Sequence, residues 1–426
     1  MTTQDQPAKL GLRFSTILLP AKGIDLERWA VIACDQFTSD QEYWDEVERF
    51  VGDAPSTLRM ILPEIYLEQR DQVEETRRIT ETMERYLREN VFREIPDSAI
   101  YVKRSLPDGT ERRGLVVAVD LESYDYHPET SALVRASEET IPSRLPARAD
   151  IRKAAPIETP HVLVLYNDPD STVMDTFDRH LGTLEQVYKT PLMMGGGSIA
   201  GWQVPVDHPC TGEFLAALEA LRRETLLFAT GDGNHSLAAA KTVWEERKAA
   251  GTTATDPYRY CLVELVNVFD PGLPFHPIHR VCRGDAEALL ASIMEETGAR
   301  LERKERDAFL RDFRGDGPGS REIGFYGPAG AGVLALPEGA ALSVEVVDNA
   351  LARMEKAGVA GDIDYVHGLE EVCHAADRLK GVAWIVPEFD RDQLFPTVAG
   401  RGTLPRKAFS LGQARDKRYY LECRAL

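Results

Sequence analysis

Apolar runs alternate with polar, turn-forming segments along the whole chain. The runs LRFSTILL (12–19) and WAVIAC (29–34) are short and bounded by turn residues, a pattern typical of buried strands. The segments AIYVKRS and GLVVAVDL, with a PDG turn at 107–109 between them, predict a β-hairpin. A further apolar run at 161–166 predicts another strand.

Helical periodicity appears between these strands. A polar segment at 35–40 precedes a helix predicted over 42–50, and a helix rich in Glu and Arg is predicted over 65–90. Apolar residues recur at helical spacing in the longer helix and predict one buried stripe, formed by Val73, Ile79, Met83 and Leu87. Because strands and helices mix without a strict βαβ alternation, we expect an α+β, or mixed α/β, protein.

A Pro-Gly turn at 271–272 ends the β-rich run YRYCLVELVNVFD and marks a candidate domain boundary. We therefore expect an N-terminal domain over 1–270 and a C-terminal α/β domain over 271–426. The 426 residues are 43% apolar and 28% charged, which is the composition of a globular protein with room for two cores.

Composition and charge limit the kinds of partner and site that we expect for this protein. No apolar stretch is long enough to span a membrane and the N-terminus lacks a secretory pattern, so we expect a cytoplasmic protein without a membrane partner. Six cysteines stand singly, which argues against a zinc site or a disulfide framework. The net charge of −19 disfavours a nucleic-acid partner. The tail 401–426 is locally basic, and it is either a solvated segment or a face for a phosphorylated ligand. Oligomeric state is left open.

The stretch FATGDGNHSLAAAK (228–241) concentrates the candidate chemistry. Its apolar start predicts a strand, its alanines predict a helix, and two glycines lie between them. A helix start has unpaired N–H groups and a dipole that favours anions, so this turn could cradle a phosphate. The residues predicted to bind phosphate or nucleotide here are Gly231, Gly233, Asn234 and Ser236. A ligand-free tight turn capped by Asn234 explains the same pattern, because neither the P-loop nor the GxGxxG spacing is present.

Asp232 and His235 are the predicted catalytic residues of this turn, since a turn alone needs neither an acid nor an imidazole. His235 could contact a transferring phosphoryl group or move a proton, and Asp232 could hold Mg²⁺ or orient a hydroxyl group. A structural role is the alternative for His235. We assign structural roles to the remaining isolated histidines His161, His180, His208 and His374.

The stretch GDGNHSLAAA resembles the D-G-H-H-R-x-x-A signature of the family known as domain of unknown function 1015. Other segments fit the same family, namely CDQFTSDQEYWDEVE, RLPARADIRKAAPIETPHVLVLYNDP, PFHPIHRV and LPRKAFSLGQARDKRYYLE. The resemblance covers nearly the whole chain. It implies kinship with archaeal free-serine kinases that use ADP and, more distantly, with the ParB/sulfiredoxin fold.

The resemblance therefore implies a ParB/sulfiredoxin-like nucleotide-binding core and a second α/β domain. It also implies phosphoryl transfer from ADP or ATP, with Mg²⁺, to a small hydroxylated metabolite similar to serine. Two alternatives stay open: a non-catalytic ParB-like regulatory protein that binds nucleotide, and a phosphatase or nucleotide hydrolase that uses the same cleft.

Two departures from the family signature matter. Asn234 replaces its first histidine, and Ser236 replaces its arginine, while Asp232, Gly233 and His235 match. A serine hydroxyl cannot neutralise phosphate charge, so another cation must do so. The candidates for nucleotide or phosphate binding elsewhere in the chain are Arg144, Arg148, His279, Arg280, Arg406 and Lys407.

The catalytic base also departs from the relatives. The resemblance implies a glutamate in a P-x-E setting after the first strand, but this chain reads Pro20-Ala21-Lys22 there. Asp35, at the end of the second predicted strand, is the predicted substitute. Its alternative role is to cap the following helix.

Overall fold

The computed structural model describes residues 3–222, 225–313, 318–358 and 360–426. Helices and strands interleave along this part of the chain, which confirms the mixed α/β class. The ParB/sulfiredoxin-like core stays a prediction. Within the described residues, no helix combines the length and the apolar character needed to span a bilayer.

The chain forms two compact units. The first comprises Met1–Pro274, Phe395–Thr403 and Gly412–Leu426, and the second comprises Phe275–Leu394 and Leu404–Leu411. Much of the basic tail therefore belongs to the same unit as the N-terminal strands, whereas the sequence-based division assigned the whole tail to residues 271–426. The expected division into domains over 1–270 and 271–426 stays a prediction.

The strands of the first unit are β1 (Leu12–Arg13), β2 (Ser15–Pro20), β3 (Val31–Ile32), β4 (Phe92–Ser105), β5 (Glu111–Asp120), β6 (Tyr124–Asp125), β7 (Val134–Arg135), β8 (Ile157–Glu158), β9 (Leu163–Tyr166), β10 (Gln186–Pro191), β11 (Ser198–Pro205), β12 (Phe228–Asp232), β13 (Tyr260–Asn267), β21 (Tyr419–Tyr420) and β22 (Arg424–Ala425). Those of the second unit are β14 (Phe275–Gly284), β15 (Arg300–Lys304), β16 (Glu322–Gly327), β17 (Gly330–Ala335), β18 (Ala360–His367), β19 (Val382–Ile385) and β20 (Phe409–Leu411).

The α-helices are α1 (Asp5–Lys9), α2 (Leu26–Trp29), α3 (Gln41–Val51), α4 (Gln72–Arg88), α5 (Leu145–Ala154), α6 (Thr172–His180), α7 (Pro209–Leu221), α8 (Asn234–Ala249), α9 (Ala286–Thr297), α10 (Arg306–Phe313), α11 (Ser343–Lys356), α12 (Leu369–Leu379) and α13 (Leu394–Arg401). Short 3-10 helices lie at Thr57–Met60, Glu64–Tyr66, Leu121–Ser123, Pro142–Arg144, Pro257–Arg259, Arg391–Gln393 and Ala414–Asp416.

One large sheet organises the first unit. Its main path runs β10-β11-β4-β5-β13-β9-β12-β7-β6, with β1 beside β5 and β2 beside β4. Side chains alternate across it with the strand period of two: Val116 packs into one hydrophobic core, while Leu115 and Val117 pack into the core on the opposite face. Both faces are thus covered, which explains the nearly continuous apolar runs in the sequence.

Two local predictions have clear outcomes. The hairpin is confirmed, because β4 and β5 pair antiparallel from Ile100↔Val116 to Ser105↔Glu111. The four-residue stripe on α4 is only half right: Ile79 and Met83 are buried, but Val73 and Leu87 are exposed. The helix begins at Gln72, so Val73 lies in its first turn.

The tail 412–426 is tied to the N-terminal strands of the same unit. β21 pairs antiparallel with β3, and the carbonyl of Arg418 accepts a hydrogen bond from the backbone N–H of Ala33 at 2.9 Å. The buried guanidinium of Arg418 forms ion pairs with Glu264 on β13 and with Glu422, the latter at 2.6 Å. This buried ion cluster links the tail to β13, and removal of one partner would leave an unpaired buried charge.

The second unit has its own sheet, with the order β15-β17-β16-β19-β14-β18 and β20 beside β14. Val281 and Ile385 of this sheet pack with Val372 of α12 in one hydrophobic cluster. The predicted ligand-binding residues His279 and Arg280 lie on β14 of this unit.

Candidate functional site

The glycine turn has the predicted strand–turn–helix geometry. β12 ends at Asp232, and Gly233 precedes α8 with φ of 75°, a backbone conformation that favours glycine. A Cβ added at Gly233 would lie 3.0 Å from Val162 Cγ2. The glycine is therefore required both by its backbone angle and by the close approach of the chain segment that leads into β9.

Asn234 holds the turn together from inside. It is buried, and its side-chain oxygen accepts a hydrogen bond from the hydroxyl of the fully buried Thr230. Thr230 Oγ1 also accepts the backbone N–H of Ser137 at 3.2 Å. The residue at the N-cap position is Gly233, so the expectation that Asn234 caps the helix was wrong.

Several amides of the turn are engaged within the protein. The N–H of Gly233 donates to Asp232 Oδ1 at 3.0 Å, and the N–H groups of Ser236 and Leu237 donate to the carbonyl of Gly233 at 3.0 Å each. These groups do not form an open ring of donors. A bound anion would have to be held mainly by side chains and by the dipole of the sixteen-residue helix α8.

His235 supports a neighbouring loop. Its Nε2 accepts the backbone N–H of Ile141 at 3.2 Å. One ring nitrogen of this predicted catalytic residue is therefore used to position the loop before α5, and the role of His235 in chemistry stays a prediction.

A second histidine, His161, lies beside the turn. Its Nε2 is 3.2 Å from Ser236 Oγ and 3.9 Å from Asp35 Oδ2, while its Nδ1 is 2.8 Å from the hydroxyl of Tyr420. The sequence reading had assigned His161 a structural role, because a single histidine before an apolar strand gives no signal of chemistry. Its three partners come from three distant parts of the chain.

Asp35 is the carboxylate of this group. It follows β3, and its side chain is 26% exposed, so it is reachable by a ligand. Burial acts to raise its pKa, but the electrostatic interaction with His161, a hydrogen bond from Gln36 at 2.9 Å and the charge of Lys417 together hold the pKa below its ordinary value. The carboxylate is ionised at neutral pH. The cap of α3 is Asp40, whose side chain accepts the N–H of Tyr43, so Asp35 is not needed for that role.

Lys417 supplies a cation at the same place. Its Nζ lies 3.2 Å from Asp232 Oδ2, and the lysine side chain is only 10% exposed. We had predicted that some cation must replace the arginine of the family signature, but Lys417 was not among the candidates. The excess of basic residues in the tail was the signal that could have found it.

Tyr420 and Cys34 complete the surroundings of His161. The Tyr420 hydroxyl donates to Cys34 Sγ at 3.1 Å and accepts the N–H of Cys34 at 3.2 Å. Burial raises the pKa of Cys34 to about 12 and places that of Tyr420 well above its ordinary value. Both groups therefore stay protonated at neutral pH. The set Asp35, His161, Asp232, Ser236, Lys417 and Tyr420 is called the His161 cluster below.

A cavity of about 200 Å³ opens beside the His161 cluster. Its lining includes the polar side chains of His161, Ser236 and Tyr420 and two ion pairs, and the exposed lining surface is mostly apolar. The apolar lining includes Met60, Ile61, Leu62, Leu67, Met83, Ile151 and Ile157.

The cations of this cavity are already paired. Arg148, a predicted phosphate ligand, lines the cavity in an ion pair with Glu64, and Arg152 is paired with Glu158 at 2.6 Å. The cavity therefore offers a mostly apolar volume whose arginines are already in ion pairs.

The other predicted phosphate ligands do not line this cavity. Arg144 is exposed, and its backbone carbonyl accepts a hydrogen bond from Arg148 Nη1 at 3.0 Å. Gly231 lies in β12, and Arg406 and Lys407 are exposed on the second unit.

His279 and Arg280 have partners inside the second unit. Arg280 is fully buried and paired with Asp348 at 2.7 Å. His279 Nδ1 accepts the N–H of Val386 at 3.3 Å, and burial, with the charge of Arg280, lowers the pKa of His279 to about 4. The side chains of His279 and Arg280 are therefore both engaged by partners within the second unit.

Asp232 was the predicted metal ligand. Its two oxygens are engaged by Lys417 and by the N–H of Gly233, and the described residues contain no group of three or more His, Cys, Asp or Glu side chains that could hold a metal ion. The protein alone does not present a complete metal site in this part of the chain. Mg²⁺ is commonly bound through one or two carboxylates together with substrate phosphates.

The sequence matches one family model. The model described as "Protein of unknown function (DUF1015)" matches residues 18–355. No functionally curated protein matches the chain in sequence.

Solved structures give weaker likenesses. A conserved hypothetical protein from Pyrococcus furiosus is 12% identical, with 72% of this chain and 90% of that chain covered and a TM-score of 0.34. A mutant free serine kinase in complex with AMP is 12% identical over the same shares, with a TM-score of 0.38. SbnI with a C-terminal truncation, from Staphylococcus aureus, is 10% identical over 70% of this chain and 82% of that chain, with a TM-score of 0.37. Scores this low transfer neither a fold nor an activity to this chain.

Proposed function

Because this chain belongs to the DUF1015 family of proteins of unknown function, we propose that it is a phosphotransferase that moves a phosphoryl group from ADP or ATP to a small hydroxylated metabolite. One observation carries the proposal: at the start of the helix that the family signature marks, Lys417 pairs with Asp232 at 3.2 Å, and the carboxylate of Asp35 lies 3.9 Å from His161, which contacts Ser236. A base and a cation at a helix N-terminus are the groups that phosphoryl transfer requires.

The nucleotide phosphates would bind at the start of α8. The helix dipole and the ammonium group of Lys417 provide positive charge there, and Asp232 holds that ammonium group in place. This arrangement takes over the role that the arginine of the family signature would have. Lys417 is largely buried, so its charge acts in a region of low dielectric, where it stabilises a phosphoryl group more strongly than in water.

Asp35 would accept the proton of the acceptor hydroxyl. It is ionised, partly exposed and 3.9 Å from His161, which can share the proton. A positioned base of this kind contributes roughly 10²- to 10⁴-fold to a rate.

The adjoining cavity would hold the body of the acceptor. Its lining is mostly apolar, and its two arginines are neutralised by Glu64 and Glu158. Such a volume favours an acceptor with an apolar portion and a hydroxyl group at one end over free serine, whose charged groups would find no unpaired partners there.

A magnesium ion would enter with the nucleotide. Asp232, at the end of β12, is the carboxylate that would meet it beside Lys417, and the ion would neutralise charge on the phosphates. We assign no step to the ion, because the described side chains do not form its site by themselves.

The test begins with thermal unfolding of the full chain in the presence of ADP, ATP, CTP or GTP, with and without Mg²⁺. Stabilisation by one nucleotide, followed by transfer of its terminal phosphate to members of a panel of apolar alcohols and hydroxy acids, is expected. Stabilisation without any turnover would indicate a binding module, and phosphate release without an acceptor would indicate a hydrolase. No stabilisation by any nucleotide would contradict the proposal altogether.

A further inference from the structure

Ser236 and His161 form a nucleophile–base pair that direct phosphoryl transfer does not need. Ser236 Oγ is 3.2 Å from His161 Nε2, which is within reach of a hydrogen bond, and both side chains line the cavity. A serine hydroxyl becomes a useful nucleophile when an adjacent imidazole can take its proton. The position is the one at which the family signature has an arginine.

The hydrogen bonds around Tyr420 accommodate the tautomer of His161 that this pair requires. The phenolic oxygen contacts Cys34 Sγ at 3.1 Å and accepts the N–H of Cys34 at 3.2 Å. With the phenolic proton donated to Cys34 Sγ, the contact with His161 Nδ1 at 2.8 Å is donated by the imidazole. His161 Nε2 consequently carries the lone pair, and this lone pair is directed at the hydroxyl of Ser236.

Asp35 stabilises the charge that a proton transfer would create. Its Oδ2 lies 3.9 Å from the same Nε2 atom, so its negative charge is close to the nitrogen that receives the serine proton. The start of α8 adds the positive end of a helix dipole at Ser236, which is the third residue of that helix. The nucleophile, its base and two sources of charge stabilisation therefore surround one hydroxyl group.

Building on the proposed phosphotransfer, we propose that Ser236 takes the phosphoryl group covalently before the acceptor receives it. In the first half-reaction a bond forms between Ser236 Oγ and the terminal phosphorus of the nucleotide. The bond from that phosphorus to the bridging oxygen breaks and leaves the shortened nucleotide, while the serine proton passes to His161 Nε2.

The second half-reaction regenerates the serine. The acceptor hydroxyl attacks the phosphorus of phosphoserine and loses its proton to Asp35. The bond from phosphorus to Ser236 Oγ breaks, and His161 returns its proton to that oxygen. Asp35 then releases one proton to solvent, so the sum of both halves is nucleotide plus alcohol giving shortened nucleotide, phosphate ester and one proton.

The deciding experiment incubates the full chain with ATP or ADP labelled with ³²P in the terminal phosphate and no acceptor. We expect a label that is stable in acid, close to one per chain, and located on Ser236 by peptide mass. Ser236→Ala should lose the label while nucleotide still raises its unfolding temperature. Ser143→Ala changes an exposed serine of the same unit and should label like the unaltered chain.

The outcomes separate this inference from the proposed function. Turnover by Ser236→Ala at the unaltered rate, or an acid-labile label on a histidine, would overturn the covalent intermediate and leave phosphotransfer intact. The absence of both nucleotide binding and transfer would overturn both.

Tyr420 is a positioning residue in this scheme. Tyr420→Phe removes the oxygen that accepts from Nδ1 and should slow labelling by about 10- to 100-fold, with a shift in its pH profile. An unchanged rate and pH profile in the folded variant would refute the tautomer assignment.

Discussion

Ser236 Oγ lies 3.2 Å from His161 Nε2 although 75 positions separate the two residues. The register of two antiparallel strands brings them together: Asp232, at the end of β12, pairs with Leu163, at the start of β9. His161 lies two residues before the first residue of β9, and Ser236 lies four residues after the last residue of β12. The contact is therefore a product of sheet pairing, and neither local sequence contains it.

Asp35→Asn should lower turnover by about 10²-fold or more, since the amide cannot accept the acceptor proton. Nucleotide-induced stabilisation should persist, because the phosphates are assigned to Lys417 and the start of α8. Steady-state kinetics and thermal shift on the same preparation check this. A variant that keeps its kcat would remove Asp35 from the mechanism.

Lys417→Met should weaken nucleotide binding by about 10-fold, equivalent to roughly 1.4 kcal/mol, because the substitution removes the cation beside Asp232 and keeps the length of the side chain. Arg144→Ala is the matched control, since Arg144 is an exposed cation of the same unit that the sequence had also suggested as a phosphate ligand. Titration calorimetry measures both. Equal losses in the two variants would argue against a specific role for Lys417.

Gly233→Ala should lower the free energy of unfolding by about 1–3 kcal/mol, because φ is 75° and the new Cβ would meet Val162 at 3.0 Å. Gly251→Ala separates the two causes: Gly251 also has a positive φ, of 90°, but a Cβ there meets nothing within 4 Å. We expect the smaller loss at Gly251 in urea denaturation. Equal losses would show that the contact with Val162 adds nothing.

Asn234 and Thr230 should be energetically coupled. Asn234→Ala leaves the fully buried hydroxyl of Thr230 without this acceptor and should cost about 1–3 kcal/mol. A double-mutant cycle with Thr230→Val should give a coupling energy of about 0.5–3 kcal/mol. Additive effects would mean that the turn is held by its glycines alone.

Glu264 should make stability depend on pH. Burial acts to raise its pKa, but Arg418 and Arg112 outweigh this and hold the pKa below the ordinary value of 4.5. The stabilisation is therefore fully present above pH 4.5 and is lost as pH falls through the lower, folded-state pKa. Glu264→Gln should lower the free energy of unfolding by about 3–5 kcal/mol at pH 7. It should also weaken the dependence of that free energy on pH in the acid range.

Denaturant unfolding between pH 7 and acid pH measures the effect of Glu264. The control Glu81→Gln alters a carboxylate that is 60% exposed in its ion pair with Arg77, and it should change stability by less than about 0.5 kcal/mol. A similar loss in both variants would contradict the importance of the buried ion cluster.

The sequence was informative where local rules decide the structure. The glycines before α8 and the turn of the β4–β5 hairpin were found because turns and helix starts have short-range signatures. Asp35 was selected by its place after a predicted strand, as the substitute for the missing glutamate, and its role as a base stays a prediction. The structure puts its carboxylate 3.9 Å from His161 Nε2, a contact that the sequence did not predict.

Long-range contacts account for what the sequence did not reveal. Lys417 reaches Asp232 only because β21 pairs with β3, and no pattern in a single chain encodes that pairing. His161 gains its partners in the same way. Val73 is a case in which the sequence pattern was misleading. Its helical spacing predicted a buried position, but α4 begins at Gln72, so Val73 lies in the first turn and is exposed.

The pairing of β21 with β3 also sets an order of events during protein synthesis. Asp35, His161 and Ser236 have all left the ribosome long before Lys417 and Tyr420 are translated. Nascent chains stalled ahead of that segment can fold much of the large sheet, yet they lack the ammonium and phenol groups of the cluster. The complete His161 cluster can therefore form only after β21 has been synthesised and has paired with β3.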